Sequence, residues 1–253
     1  MKLLELVYRG ILTGMPLLTY NPITKNTLNV PMIVNPESTY LNFKLDNEKV
    51  KKLEKYINKY SNLTIIPIKI DKEEEYILSV NVYNCTSPVF LNDKEITRFE
   101  INTYVRDENN NNGTIILDYI SNELSMDPLN IIKWKDNLKY NKYDVFNNIE
   151  CNSKRDHIEL NINFTAEYAK KIKINEDLVK YTDRVYYKNG IYDKIYFDSS
   201  LTSADLREPY LFTKFLFIYR DLNFTDLHSI FYFKNEIRFI GGMWDNLFNK
   251  KKN

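Results

Sequence analysis

From Thr97 to Arg106 the chain alternates between two kinds of side chain, which limits this stretch to a strand with two unlike faces. Phe99, Ile101, Thr103 and Val105 fall on one side; Arg98, Glu100, Asn102, Tyr104 and Arg106 fall on the other, because side chains along a strand repeat every two residues. The residues that follow, RDENNNNG, make a turn, with Asn112-Gly113 suited to positive φ. Thr114–Ile120 returns with apolar residues on both faces, Asp118 excepted, as befits a strand inside a barrel or sandwich. The charged face of the first strand is either a solvated outer surface or the wall of a polar pocket. Charged residues are seldom fully buried, which favours solvent.

The same alternation recurs along the chain. Thr39–Leu45, Thr64–Ile70, Tyr76–Asn84 and His157–Phe164 read as strands, with Pro67 marking an edge or a bulge in the second of them. In the last, Ile158, Leu160, Ile162 and Phe164 face inward and His157 lies with the polar set. Asn189-Gly190 sits between two aromatic-rich runs and predicts a hairpin. A second hairpin is expected where FYFK and IRFIG flank Asn235-Glu236. The clearest helix is Asp46–Tyr60: Asp46 caps it, Glu48 suits its first turn, and Val50, Leu53, Ile57 and Tyr60 form its apolar stripe. A helix-like stretch is also expected around Tyr210–Arg220, a turn at 71–75, and a polar surface excursion over Asp136–Lys154. Many strands, one strong helix and no alternation of strand with helix predict an α+β fold. It is mainly antiparallel, a closed or nearly closed β-barrel with appended helices, in a single domain spanning 1–253.

Charge and cysteine use narrow the partners. With 35 basic and 34 acidic residues the net charge is +1, so nothing draws the whole chain to nucleic acid or to an anionic membrane. No apolar run is long enough to span a bilayer, and the N-terminal apolar stretch is interrupted by Glu5 and Arg9. Cys85 and Cys151 lack metal-ligand spacing, and only His157 and His228 could add imidazole. The expectation is therefore a reducing, cytoplasmic setting, with no metal and no cofactor. Cys85 could pair with either histidine as a nucleophile, but at the end of an apolar strand it reads as a buried small hydrophobe. Asp118, Glu123 and Asp127 could form a carboxylate cluster, although acids in such loops usually serve as caps and turn residues.

TRFEINTYVRDENNNNGTIILDYIS resembles the strand pair of the acetoacetate decarboxylase-like superfamily. DLVKYTDRVYYKNGIYDKIYF, with Leu178, Tyr181, Thr182, Asp183 and Arg184 in order, resembles a segment of its uncharacterised bacterial branch. The resemblance implies an antiparallel barrel around a cavity, a small-molecule ligand and a possible homo-oligomer. In the decarboxylases a lysine forms a Schiff base with a β-keto acid, and the iminium takes the electrons as carbon dioxide leaves. Such a lysine must be neutral near pH 7, well below its ordinary value of about 10.4, which burial or a neighbouring cation achieves. The matching position here is Lys133, among Ile131, Ile132 and Trp134. Glu100 matches the family's acidic pocket residue, a positioning or proton-shuttling group. Arg98, on the same strand face, can meet a carboxylate bidentately. The family's Gly-Arg-Glu run and adjacent lysine pair are absent: Ser125-Met126-Asp127-Pro128 and Ile132-Lys133-Trp134-Lys135 stand there instead.

Three functions fit these residues. One is a lyase of acetoacetate decarboxylase-like type acting on a keto or carboxylic substrate through Lys133. Another is a non-catalytic small-molecule-binding barrel. The third is a structural or interaction protein that kept the fold and filled its cavity.

Overall fold

The computed structural model describes residues 30–34, 38–59, 61–70, 73–86, 95–123, 136–142, 147–154, 157–165, 169–173, 184–187, 190–193, 203–207, 210–211, 216–233 and 237–241. Their elements run in the order β1 (Val30–Val34), β2 (Ser38–Lys44), α1 (Asn47–Ile57), β3 (Thr64–Ile65), β4 (Ile68–Ile70), β5 (Glu73–Glu75), β6 (Ile77–Thr86), β7 (Ile96–Arg106), β8 (Asn112–Ser121), β9 (Asn137–Lys142) and β10 (Asn147–Ser153). There follow β11 (Ile158–Thr165), β12 (Ala169–Lys173), β13 (Arg184–Tyr187), β14 (Gly190–Asp193), β15 (Ser203–Arg207), β16 (Tyr210–Leu211), β17 (Leu216–Tyr219), β18 (Leu222–Phe224), β19 (Leu227–Phe233) and β20 (Ile237–Gly241).

The strands form a 12-stranded sheet ordered β12-β15-β19-β2-β6-β7-β8-β13-β14, which β1, β3 and β20 also join. A 6-stranded sheet is ordered β18-β17-β11-β10-β9, with β16 beside β11. Pairing is antiparallel except where β13 runs parallel to β8. The protein is thus mainly antiparallel β with one helix, and among the described residues no sheet closes on itself.

One face of the large sheet packs on one face of the smaller sheet. Leu41, Phe43, Val80, Val82, Phe99 and Ile101 meet Ile149, Leu160, Ile162, Phe164, Phe217 and Phe224 in a common core. Aromatic rings tie the layers: Phe43 lies 4.8 Å from Phe217 and 6.0 Å from Phe224, between ring centroids. Two hydrogen bonds cross the same interface, Thr39 Oγ1 to Tyr140 Oη at 2.6 Å and Tyr219 Oη to Asp118 Oδ2 at 2.7 Å.

Helix α1 adds its stripe to this core through buried Val50, Leu53 and Ile57. Its start is fixed as the sequence predicts: the Asp46 carboxylate accepts the Lys49 backbone N–H at 2.8 Å. Lys51, Lys52 and Lys55 face solvent. Tyr60, the last residue of the predicted stripe, lies outside the described residues.

Several expectations change. The predicted strand Thr64–Ile70 is two strands: β3 pairs with β7, β4 pairs with β5, and Pro67 between them can donate no ladder hydrogen bond. The expected turn at 71–75 is strand from Glu73 onward. The Asp136–Lys154 stretch is not a surface excursion but the hairpin β9–β10, because Leu138, Tyr140, Ile149 and Cys151 alternate into the core beneath its polar residues. Tyr210–Arg220 contains strands, not a helix: Phe217 and Tyr219 are buried two apart while Leu216 is exposed, a period of two. The expected final hairpin does not form either. β19 is flanked by β15 and β2, and β20 pairs instead with β1. The other expected hairpin is present as the antiparallel pair β13–β14, with Tyr187 opposite Gly190.

Candidate functional site

Strand β7 lies between β6 and β8, and every residue from Ile96 to Val105 is buried. Its two faces divide as the alternation predicts. Phe99, Ile101 and Val105 enter the core between the sheets. Arg98, Glu100, Asn102 and Tyr104 share the opposite face, and that face is not solvated: Arg98 is 4% exposed and Glu100 7%. The surface reading is corrected here. Neighbouring strands widen the polar face: β2 brings Tyr40 and Asn42, β6 brings Ser79, Asn81 and Tyr83, and β8 brings Tyr119. At one end Ile66, Ile68 and Ile70 pack over Ile77, Tyr104 and Phe231, with Tyr40 against them.

Register puts Tyr83 opposite Arg98, and Asn81 and Tyr119 on either side of Glu100. The Arg98 Nη2 lies 2.9 Å from Glu100 Oε1, and the Tyr83 hydroxyl donates to the same oxygen at 2.6 Å. The guanidinium sits 4.3 Å from the centroid of the Tyr119 ring, a cation–π contact shielded from water. Burial pulls the Arg98 pKa down, but Tyr83, Glu100 and Tyr119 around it outweigh burial and hold it well above the ordinary arginine value. Burial, reinforced by Glu100, pushes the Tyr83 phenol well above its usual range; burial, then Glu100 and Tyr104, does the same for Tyr40. The cluster therefore presents a fixed cation, a carboxylate oxygen held by two donors, and phenols that stay protonated at neutral pH.

Of the three predicted site residues, the fold brings Arg98 and Glu100 together, and Lys133 lies outside the described residues. Tyr83, Tyr119 and Tyr40 were not predicted. The alternation of Ser79, Asn81 and Tyr83 was a visible signal, but placing them beside Glu100 needs the strand register.

The other constellations separate. Cys85 is buried and its thiol is pushed up to about 12, chiefly by burial, so it stays protonated. His228 follows Leu227, which pairs through Phe43 to Leu78, whereas Cys85 is seven residues further along β6; a strand rise puts about 23 Å between those rows. His157 is exposed, with φ 53°. Asp118 does not join Glu123, which is exposed, and Asp127 lies outside the described residues. A register shift between β7 and β8 sets Asp118 opposite Ile101, on the core side. There it accepts from Tyr219 and from Arg220 Nη2, each at 2.7 Å, while Arg220 also donates to Tyr56 Oη at 2.6 Å.

Among the described residues no helix is long and apolar enough to cross a membrane. Comparison of the chain with family models, with curated proteins and with solved structures gave no match.

Proposed function

We propose that the protein binds a small carboxylic or keto acid against the polar face of the large sheet, with Arg98 as the carboxylate anchor and Glu100 as the positioning or acid/base group. In this reading the face lines the internal cavity of a nearly closed barrel. Lys133 then supplies the Schiff-base chemistry of an acetoacetate decarboxylase-like lyase. The observation that carries the proposal is the burial of a complete ion pair on a strand face where apolar residues would pack at lower cost. A buried pair is often no more stabilising than an apolar replacement, so its presence in a sheet interior calls for a role beyond stability. The chemical step rests on the resemblance alone. It requires Lys133 to be neutral while Glu100 orients the substrate carbonyl and Arg98 holds the carboxylate until carbon dioxide leaves.

Borohydride reduction in the presence of acetoacetate tests that step. A stable adduct on Lys133, absent from Lys133→Ala, is expected by mass spectrometry. Absence of any lysine adduct removes the lyase step.

A second reading, binding without chemistry, is favoured by the way Tyr83 and Arg98 both hold one oxygen of Glu100. It predicts that Lys133→Ala binds acetoacetate as the unaltered protein does.

A further inference from the structure

The polar face carries unmet hydrogen-bonding groups as well as charge. Among the described residues, Asn42 Oδ1, Asn102 Oδ1 and Ser38 Oγ are buried and have no hydrogen-bond partner. All three lie on the face that holds Arg98 and Glu100: Ser38 and Asn42 alternate with the core-facing Thr39 and Leu41 of β2, and Asn102 follows Glu100 by two residues on β7. The Asn42 side chain is already oriented, since its Nδ2 donates to Ser229 Oγ at 3.2 Å and leaves the oxygen as the atom without a partner. Asn42 and Asn102 flank Ser79 in one row across three strands, about 10 Å apart by strand spacing, and Asn102 lies about 13 Å along β7 from Arg98. Buried acceptors without donors are uncommon because each loses its hydration without compensation. Where several share one buried face with a fixed cation, they describe the complement of a ligand.

Building on the carboxylate anchor of the reading above, and independently of its Schiff-base step, we infer that the ligand is a polyhydroxylated carboxylic acid of the sugar-acid class. Its carboxylate lies toward Arg98 and its hydroxyls donate to Asn102 and Asn42. A plain β-keto acid has only acceptor oxygens besides its acid group, so it leaves both amide oxygens unmet. A hydroxylated chain supplies donors along the face.

Calorimetric titration of the full-length protein with gluconate, hexanoate and acetoacetate tests the inference. Gluconate and hexanoate share chain length and charge and differ in their hydroxyls. Gluconate is expected to bind at least about tenfold more tightly than either other probe. Asn102→Leu is expected to lower gluconate affinity about tenfold and to raise the melting temperature by about 2–4 °C, because it removes an unmet buried acceptor. Equal affinity for all three probes overturns the hydroxyl assignment and leaves the carboxylic-acid reading standing. No binding of any probe overturns both. A melting temperature that falls in Asn102→Leu means that the amide serves the fold, and it also overturns the inference.

Discussion

Arg98 and Glu100 occupy buried positions of the kind where apolar residues often fold a protein at least as well. Each ion surrenders its hydration on burial, and the mutual attraction returns that cost only through good geometry and further hydrogen bonds. Here the geometry is a 2.9 Å contact, the extra bond comes from Tyr83, and Tyr119 supplies a ring for the guanidinium. Arg98→Met alone leaves a buried carboxylate without its cation and is expected to destabilise the chain by about 3–5 kcal/mol. The double variant Arg98→Met/Glu100→Leu is expected to recover most of that loss, or all of it. Urea unfolding of the two variants checks both statements; a double variant as unstable as the single one would show that the pair is a structural requirement. Asp118 makes an instructive contrast. Its partner Arg220 is partly exposed, held on Tyr219 and Tyr56 from the sheet and the helix, and that network joins three elements of the core rather than lining the polar face.

Two turns show how side chains set element geometry. Between β7 and β8 the Asp107 carboxylate accepts backbone N–H groups from Asn109 at 2.9 Å and Asn111 at 2.8 Å, while Asn110 takes φ 61°. The sequence expectation placed positive φ at Asn112-Gly113, but β8 begins at Asn112. Asparagine tolerates the left-handed region, so the turn closes earlier than the glycine suggests. Burial raises the Asp107 pKa, but hydrogen bonds from Asn111, Tyr186 and Asn109 outweigh it and the net shift is downward. A carboxylate lowered in the folded state contributes stability above its unfolded value of about 4 and loses it as pH falls through the lower folded value. The difference in urea midpoint between the unaltered chain and Asp107→Ala is therefore expected to be full at neutral pH and to shrink at strongly acid pH. A difference independent of pH would refute the assignment. In the β17–β18 turn both Arg220 (φ 49°) and Asp221 (φ 62°) are left-handed, between paired Tyr219 and Leu222. Asp221→Gly is expected to stabilise the chain by up to about 1 kcal/mol by thermal denaturation, and destabilisation would count against strain at that position.

What the sequence discloses follows from how local each feature is. The faces of β7 and β11, the cap of α1 with Val50, Leu53 and Ile57 of its stripe, and the β13–β14 hairpin depend on neighbours within a few residues, and they appear as predicted. The partnership of β20 with β1, and of β19 with β2, depends on residues some two hundred positions apart, which no short pattern encodes. The β9–β10 hairpin was hidden because its lysines and asparagines outnumber the few apolar residues that anchor it. At the candidate site, the charged face was legible as a face. Its burial was not, because burial depends on what packs above a strand rather than on the strand's own alternation.

At the scale of the whole molecule, two sheets and a helix share one apolar core, and the opposite face of the larger sheet is buried too, with charge and unmet acceptors upon it. The first face accounts for stability. The second is where the proposed ligand lies. The most direct measurement compares gluconate and acetoacetate binding to the unaltered protein and to the Arg98→Met/Glu100→Leu chain, after its folded state is verified by circular dichroism. The account predicts binding of at least one of these acids to the unaltered protein and loss of that binding in the folded double variant. Equal affinity in both chains, or no binding to either, would contradict it and return the ion pair to a purely architectural role.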